Sequence, residues 1–141
     1  MDNLNTYKIN LYEQGITIGE KLKYHRLNAG LTQNKLAEII GLSKGACIKS
    51  IELNQNFISR SISKKLANFF SIGSNYFYDA YLEDTEKAAE VLKKYRLKNN
   101  LSINQSCKKF NISRTAWCSW ENSSSYMSRE SYSILKYHGV F

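Results

Sequence analysis

Three cysteines, two histidines and twenty lysines and arginines are the residues of this 141-residue chain with the most chemistry to offer. Cys47, Cys107 and Cys118 are odd in number and lie far apart, which excludes a disulfide scaffold and fits a reducing compartment. His25 and His138 have no cysteine or histidine at ligand spacing, so no metal site is expected. No Ser–His–Asp order, glycine-rich phosphate loop or paired-carboxylate cleft is recognisable. Neither an enzyme nor a cofactor is therefore expected. What is left is charge: twenty Lys and Arg against twelve Asp and Glu, a net +8. Residues 1–84 hold 10 cations against 8 anions, and residues 85–141 hold 10 against 4. A basic surplus serves solubility, and it also draws polyanions, nucleic acid ahead of an anionic membrane.

Those cations must be carried by folded elements. The chain is 43% hydrophobic and 23% charged, which is ordinary for a globular protein and unlike a disordered one. No apolar run approaches the ~18 to 20 residues of a membrane span. Met1-Asp2-Asn3-Leu4-Asn5 lacks the basic and apolar regions of a signal peptide, so a cytoplasmic protein without a membrane partner is expected. An internal near-repeat organises the rest. Leu22, Arg26, Leu27, Leu31 and Thr32 recur as Leu92, Arg96, Leu97, Leu101 and Ser102, an offset of 70 residues. Ser43/Ser113 and Ala46/Ala116 continue the match, and Glu52/Glu121 follow with a shift of one.

Each copy reads as short helices, and no useful strand pattern appears, so the fold class expected is all-α. Thr17-Ile18-Gly19-Glu20 has capping-box spacing. Gly30 ends that first helix, and Thr32 caps a second in which Leu36, Ile39 and Ile40 face inward. Gly41 breaks the chain, and Ser43 caps a third helix running to about Leu53. Ile62–Phe70 and Asn75–Tyr81 complete five. The second copy gives about four: Thr85–Asn99, Ser102–Phe110, Ser113–Glu121 and Met127–Tyr137. Asn111 takes the place of Gly41, since asparagine tolerates the left-handed conformation. Two tandem small helical domains are expected, 1–80 with an N-terminal extension and 81–141, joined by an acidic linker of about Ala80–Glu86.

A helix, a short turn and a Ser-capped helix is the sequence form of a helix-turn-helix. The stretch Ile18–Asp79 resembles the helix-turn-helix domain of Cro/C1-type phage repressors and Xre-type bacterial regulators. Arg26, Leu31-Thr32-Gln33, Leu36-Ala37, Gly41-Leu42-Ser43, Ser50-Ile51-Glu52 and Ile72-Gly73-Ser74-Asn75-Tyr76-Phe77 carry the resemblance. The second copy is similar but diverged, through Arg96, Leu101-Ser102, Ile112-Ser113 and Trp120-Glu121. Two departures stand out. Gly41 to Glu52 holds one residue more than the family pattern, expected inside the third helix near Gly45-Ala46. Ile103 stands where the family has the glutamine that opens the second helix and contacts phosphate.

The resemblance implies two helix-turn-helix domains in which the third helix enters the major groove with its N-terminal residues toward the bases. Base-reading candidates are then Lys44, Gly45, Ala46 and Lys49 in the first copy, and Arg114, Thr115 and Ser119 in the second. Phosphate-contact candidates are Thr32, Gln33, Ser43, Asn54, Asn56, Ser102, Ser113 and Asn122. Arg26 with Glu52, and Arg96 with Glu121, resemble the family's internal ion pair and are read as structural. Trp117, Trp120, Phe69, Phe70, Tyr76 and Phe77 are read as core rather than as stacking platforms for single strands. The function expected is a sequence-specific regulator of transcription at the nucleoid, a repressor, with double-stranded DNA as partner. The alternative is an antitoxin or a phage or plasmid accessory protein whose second domain dimerises or binds a protein. An exposed aromatic patch near Tyr76, Tyr78 and Tyr81, or near Tyr132, Tyr137 and Phe141, would favour that alternative.

Overall fold

The structure is a computed structural model and describes residues 16–141; the expected N-terminal extension lies outside the described residues. The described residues form helices and no strands. The chain divides into two compact units, Met1–Asp79 and Ala80–Phe141.

The first unit starts at Thr17, whose hydroxyl accepts from the Glu20 N–H while the Glu20 carboxylate accepts from the Thr17 N–H. This reciprocal cap satisfies two N–H groups that helix α1 (Ile18–Asn28) would otherwise leave open. Gly30, at φ +69°, then turns the chain in a conformation that side chains resist. Thr32 caps α2 (Gln33–Ile39) through the Lys35 N–H. Helices α3 (Ala46–Glu52) and α4 (Arg60–Phe69) follow, α4 capped by Ser59. α3 packs against both α1 and α2. Leu22, Leu36, Ala37, Ile48, Leu66, Ala67 and Phe77 are fully buried between them.

The second unit runs α5 (Ala80–Glu86), α6 (Ala88–Lys98), α7 (Ile103–Phe110), α8 (Arg114–Glu121) and α9 (Arg129–Tyr137). Ser102, Ser113 and Ser128 cap α7, α8 and α9. Asn111 takes φ +53°, the left-handed turn expected of it. α8 packs on α6 and α7, and α9 on α5. Leu92, Trp117 and Leu135 are wholly buried in its core, with Phe110 stacked on Trp117 at 6.1 Å between centroids.

Several expectations fail here. Asn75–Tyr81 is not a helix: residues 74–77 form turns, with Tyr76 N–H bonded to Gly73 O and Tyr78 N–H to Asn75 O. The rings of Tyr76 and Phe77 pack with His25, and burying Phe77 this way overrides a weak local helix preference. Ala80–Glu86 is no linker. It is helix α5 of the second unit, where Tyr132 Oη donates to Asp84 at 2.5 Å and the Tyr81 hydroxyl donates to Met127 O. The expected single helix Thr85–Asn99 therefore breaks at Lys87 (φ −110°, ψ +23°). Among the described residues the first unit has four helices and the second has five, the reverse of the order expected. Ile39 and Phe69 are 42% and 39% exposed rather than core.

Candidate nucleic-acid interface

Helices α3 and α8 are each held by an arginine–glutamate pair, reaching across from α1 and α6 respectively. Arg26 Nε and Nη2 donate to the two Glu52 oxygens at 2.5 and 3.1 Å, and Nη1 donates to Leu31 O at 2.7 Å. Arg96 does the same with Glu121: Nη2 at 2.6 Å and Nε at 3.2 Å to Oε1, with Nη1 at 3.4 Å from Leu101 O. One side chain thus ties α1 or α6, the turn after it and the C-terminal end of α3 or α8. That ties α3 and α8 to the helices they pack on. The first pair is the more buried, with side chains 9% and 3% exposed against 17% and 11%.

A third donor completes each cluster, and here the two units differ. In the first, Gln33 Nε2 donates to Glu52 Oε2 at 2.9 Å. In the second, where Ile103 offers no donor, Trp117 Nε1 donates to Glu121 Oε2 at 2.7 Å. The glutamate therefore keeps three donors by two different routes. Gln33, expected on phosphate, is turned inward by this bond. Asn54 is also committed internally: its Oδ1 accepts from Gly19 N–H at 3.3 Å and its Nδ2 donates to Thr17 Oγ1 at 3.1 Å.

The extra residue of the first copy does not sit inside α3. It lies in the turn; because α2 and α3 are also each one residue shorter than α7 and α8, the connection is six residues in the first unit and three in the second. The repeat then changes offset from 70 to 69, so that Ile48 matches Trp117, Ile51 matches Trp120 and Leu66 matches Leu135, each pair buried. Ser43 consequently does not cap α3. The N-cap is Gly45, which has no side chain to serve, and its N–H donates to Asn34 Oδ1 at 3.1 Å. Gly45 is buried, not outward-facing. A Cβ there would lie 2.2 Å from Asn34 Oδ1 and 2.7 Å from the Asn34 backbone nitrogen, so only glycine allows this approach. In the second unit Ser113 Oγ accepts from Ala116 N–H at 3.1 Å, as expected.

The outward side of the first unit then carries Thr32, Ser43, Lys44, Ala46, Lys49 and Asn56, all exposed. In the second unit it carries Ser102, Ser113, Arg114, Thr115 and Asn122. Ser119 is half-buried, donating to Ala116 O at 2.8 Å and bonded to Ser125 Oγ at 2.7 Å. Asn122 Oδ1 accepts from Ser124 N–H at 3.0 Å, which shapes the loop after α8. This surface thus carries exposed cations and hydroxyls. No cluster of three or more metal-ligating side chains occurs among the described residues. No helix among them is long and apolar enough to cross a membrane.

Two features of this surface were missed in the sequence. Asn34 and Asn104, each the second residue of its helix, lie beside the starts of α3 and α8. Phe57 and Tyr126 follow α3 and α8 at equivalent places and are 75% and 53% exposed. Aligning Phe57-Ile58-Ser59-Arg60 with Tyr126-Met127-Ser128-Arg129, at the changed offset, would have found the second pair.

No protein-family model, curated protein or solved structure matches this chain.

Proposed function

We propose that this protein binds duplex DNA by placing the N-terminal ends of α3 and α8 in the major groove, and that it regulates transcription by occupying specific sites as a repressor. The observation that carries the reading is a duplicated device. Twice in one chain an Arg–Glu pair holds a short helix that carries exposed cations: Lys44 just before α3 and Lys49 in its last turn, and Arg114 at the first position of α8. A helix held at a fixed angle with its start exposed is what groove docking requires. The resemblance to Cro/C1-type domains and the net charge of +8 support the same reading.

The residues proposed to face the duplex are Lys44, Ala46 and Lys49 from the first unit, with Thr32, Ser43 and Asn56 toward phosphate. From the second unit they are Arg114 and Thr115, with Ser102, Ser113 and Asn122 toward phosphate. Arginine pairs with guanine O6 and N7, and a threonine methyl meets the thymine methyl. The protein-binding alternative has less support. Tyr76 bonds His25, Tyr81 bonds Met127 O and lies under Arg129 at 4.3 Å, and Tyr132 bonds Asp84. Of the aromatic residues that would form its patch, Tyr137 alone is strongly exposed, at 87%.

The test is binding of random-sequence duplex and random single strand by fluorescence anisotropy across salt. Duplex is expected to bind more tightly, with log affinity falling by ~0.9 per neutralised phosphate on log salt. Preference for the single strand, or no binding at low salt, would overturn the reading.

A further inference from the structure

Asn34 and Asn104 occupy the same place in the two units, yet their side chains do different things. α3 begins on Gly45, which cannot cap its own helix, and Asn34 Oδ1 takes the Gly45 N–H at 3.1 Å. α8 begins on Ser113, whose hydroxyl already accepts the Ala116 N–H. Asn104 is thereby released from capping. Its Oδ1 instead accepts from Arg114 Nη1 at 2.5 Å, although both residues are exposed. An exposed arginine ordinarily samples many rotamers and loses that freedom on binding. Here one of its five N–H donors is anchored to α7, and the others are left for a planar acceptor pair. The first unit has no counterpart, since its exposed cations at this end are lysines, which act as point charges.

We infer that Asn104 is a positioning residue that sets base specificity: it holds the Arg114 guanidinium in place for a bidentate contact to guanine, so that the second unit selects guanine and the first does not. This rests on the duplex-binding reading above and deepens it. The same asparagine in the first unit serves stability instead.

The experiment uses the full chain and four duplexes that differ only at the base pair whose preference is lost in Arg114→Ala. Asn104→Ala is expected to lower the preference for guanine by about three- to tenfold, a part of what a bidentate pair contributes. Affinity for the other three duplexes, and thermal unfolding followed by tryptophan fluorescence, stay unchanged. Asn104→Asp, which keeps an acceptor oxygen, retains the preference. On the Arg114→Ala background, Asn104→Ala has no further effect on base preference. An equal loss on all four duplexes, or the same loss without Arg114, would overturn the assignment. If wild-type protein holds duplex with no base preference in either unit, this inference falls while duplex binding stands. If it holds no duplex at low salt, the functional reading falls and takes this inference with it.

Discussion

Removing the Glu52 carboxylate would leave Arg26 buried with no anion to meet it, and Gln33 with no acceptor. Breaking a buried pair by removing one partner costs about 3 to 5 kcal/mol. Glu52→Gln is therefore expected to destabilise the first unit by that order, and Glu121→Gln to cost the more exposed second pair less. Urea unfolding compares them, with Trp117 and Trp120 reporting the second unit and hydrogen exchange at Leu36 and Ile48 the first. A second residue-scale expectation concerns pH. Burial lowers the pKa of His25 below its ordinary 6.5, and its ring bonds the Tyr76 hydroxyl at 3.2 Å. As pH falls through 6.5 the unfolded chain takes up a proton that the folded unit takes up only at lower pH. Stability of the first unit is then full above that value and declines below it. Exchange protection at pH 7.5 and pH 5.5 measures this, and His25→Gln should remove most of the difference. At this scale much was legible. Thr17, Thr32, Ser102 and Ser113 cap helices because a hydroxyl bonds N–H groups two or three residues on, a purely local rule. The internal bonds of Gln33 and Asn54 were not legible, because their partners, Glu52 and Gly19, are brought to them only by folding.

At the scale of elements, two glycines let helices meet. Gly19, in the first turn of α1, would place a Cβ 2.5 Å from Ile51 O and 2.6 Å from Glu52 O. Those are backbone atoms at the end of α3 and cannot swing aside. Gly19→Ala and Gly45→Ala are each expected to lower the unfolding midpoint of the first unit and leave the second unchanged, although alanine is the better helix former. A stabilised first unit in either variant would contradict the packing described. Trp117 gives the complementary case in α8. Trp117→Phe keeps a ring in the core but withdraws the donor to Glu121 Oε2, which costs about 1 to 3 kcal/mol for an acceptor left short of a partner. Fluorescence of Trp120 still reports the transition. The Ser43/Ser113 match misled at this scale because the repeat changes offset inside the turn. Local sequence cannot show that Gly45, pressed on Asn34, begins α3 while Ser113 begins α8. The expected helix Asn75–Tyr81 failed for a related reason: its aromatic spacing reflects packing of Phe77 and Tyr76 around His25, not a helical face.

On the scale of the whole molecule, the duplication was legible because its anchors are few and chemically exacting. Leu22/Leu92, Arg26/Arg96 and Leu31/Leu101 hold the same offset of 70, and each arginine finds its glutamate. The place of Ala80–Glu86 was not legible. Acidic residues before a basic region look like a spacer until Asp84 is seen to accept the Tyr132 hydroxyl. The charge is legible as a total and as a gradient, and the units present exposed cations on or beside α3 and α8. The proposed function requires each unit to read sequence. Duplex selection from a random pool tests it most directly, using wild-type protein, Lys49→Ala and Arg114→Ala. The expected result is a two-part, non-palindromic motif, one part lost in Lys49→Ala and the other, guanine-containing part lost in Arg114→Ala. A single motif untouched by Arg114→Ala would contradict reading by the second unit, and failure to enrich any motif would contradict the account as a whole.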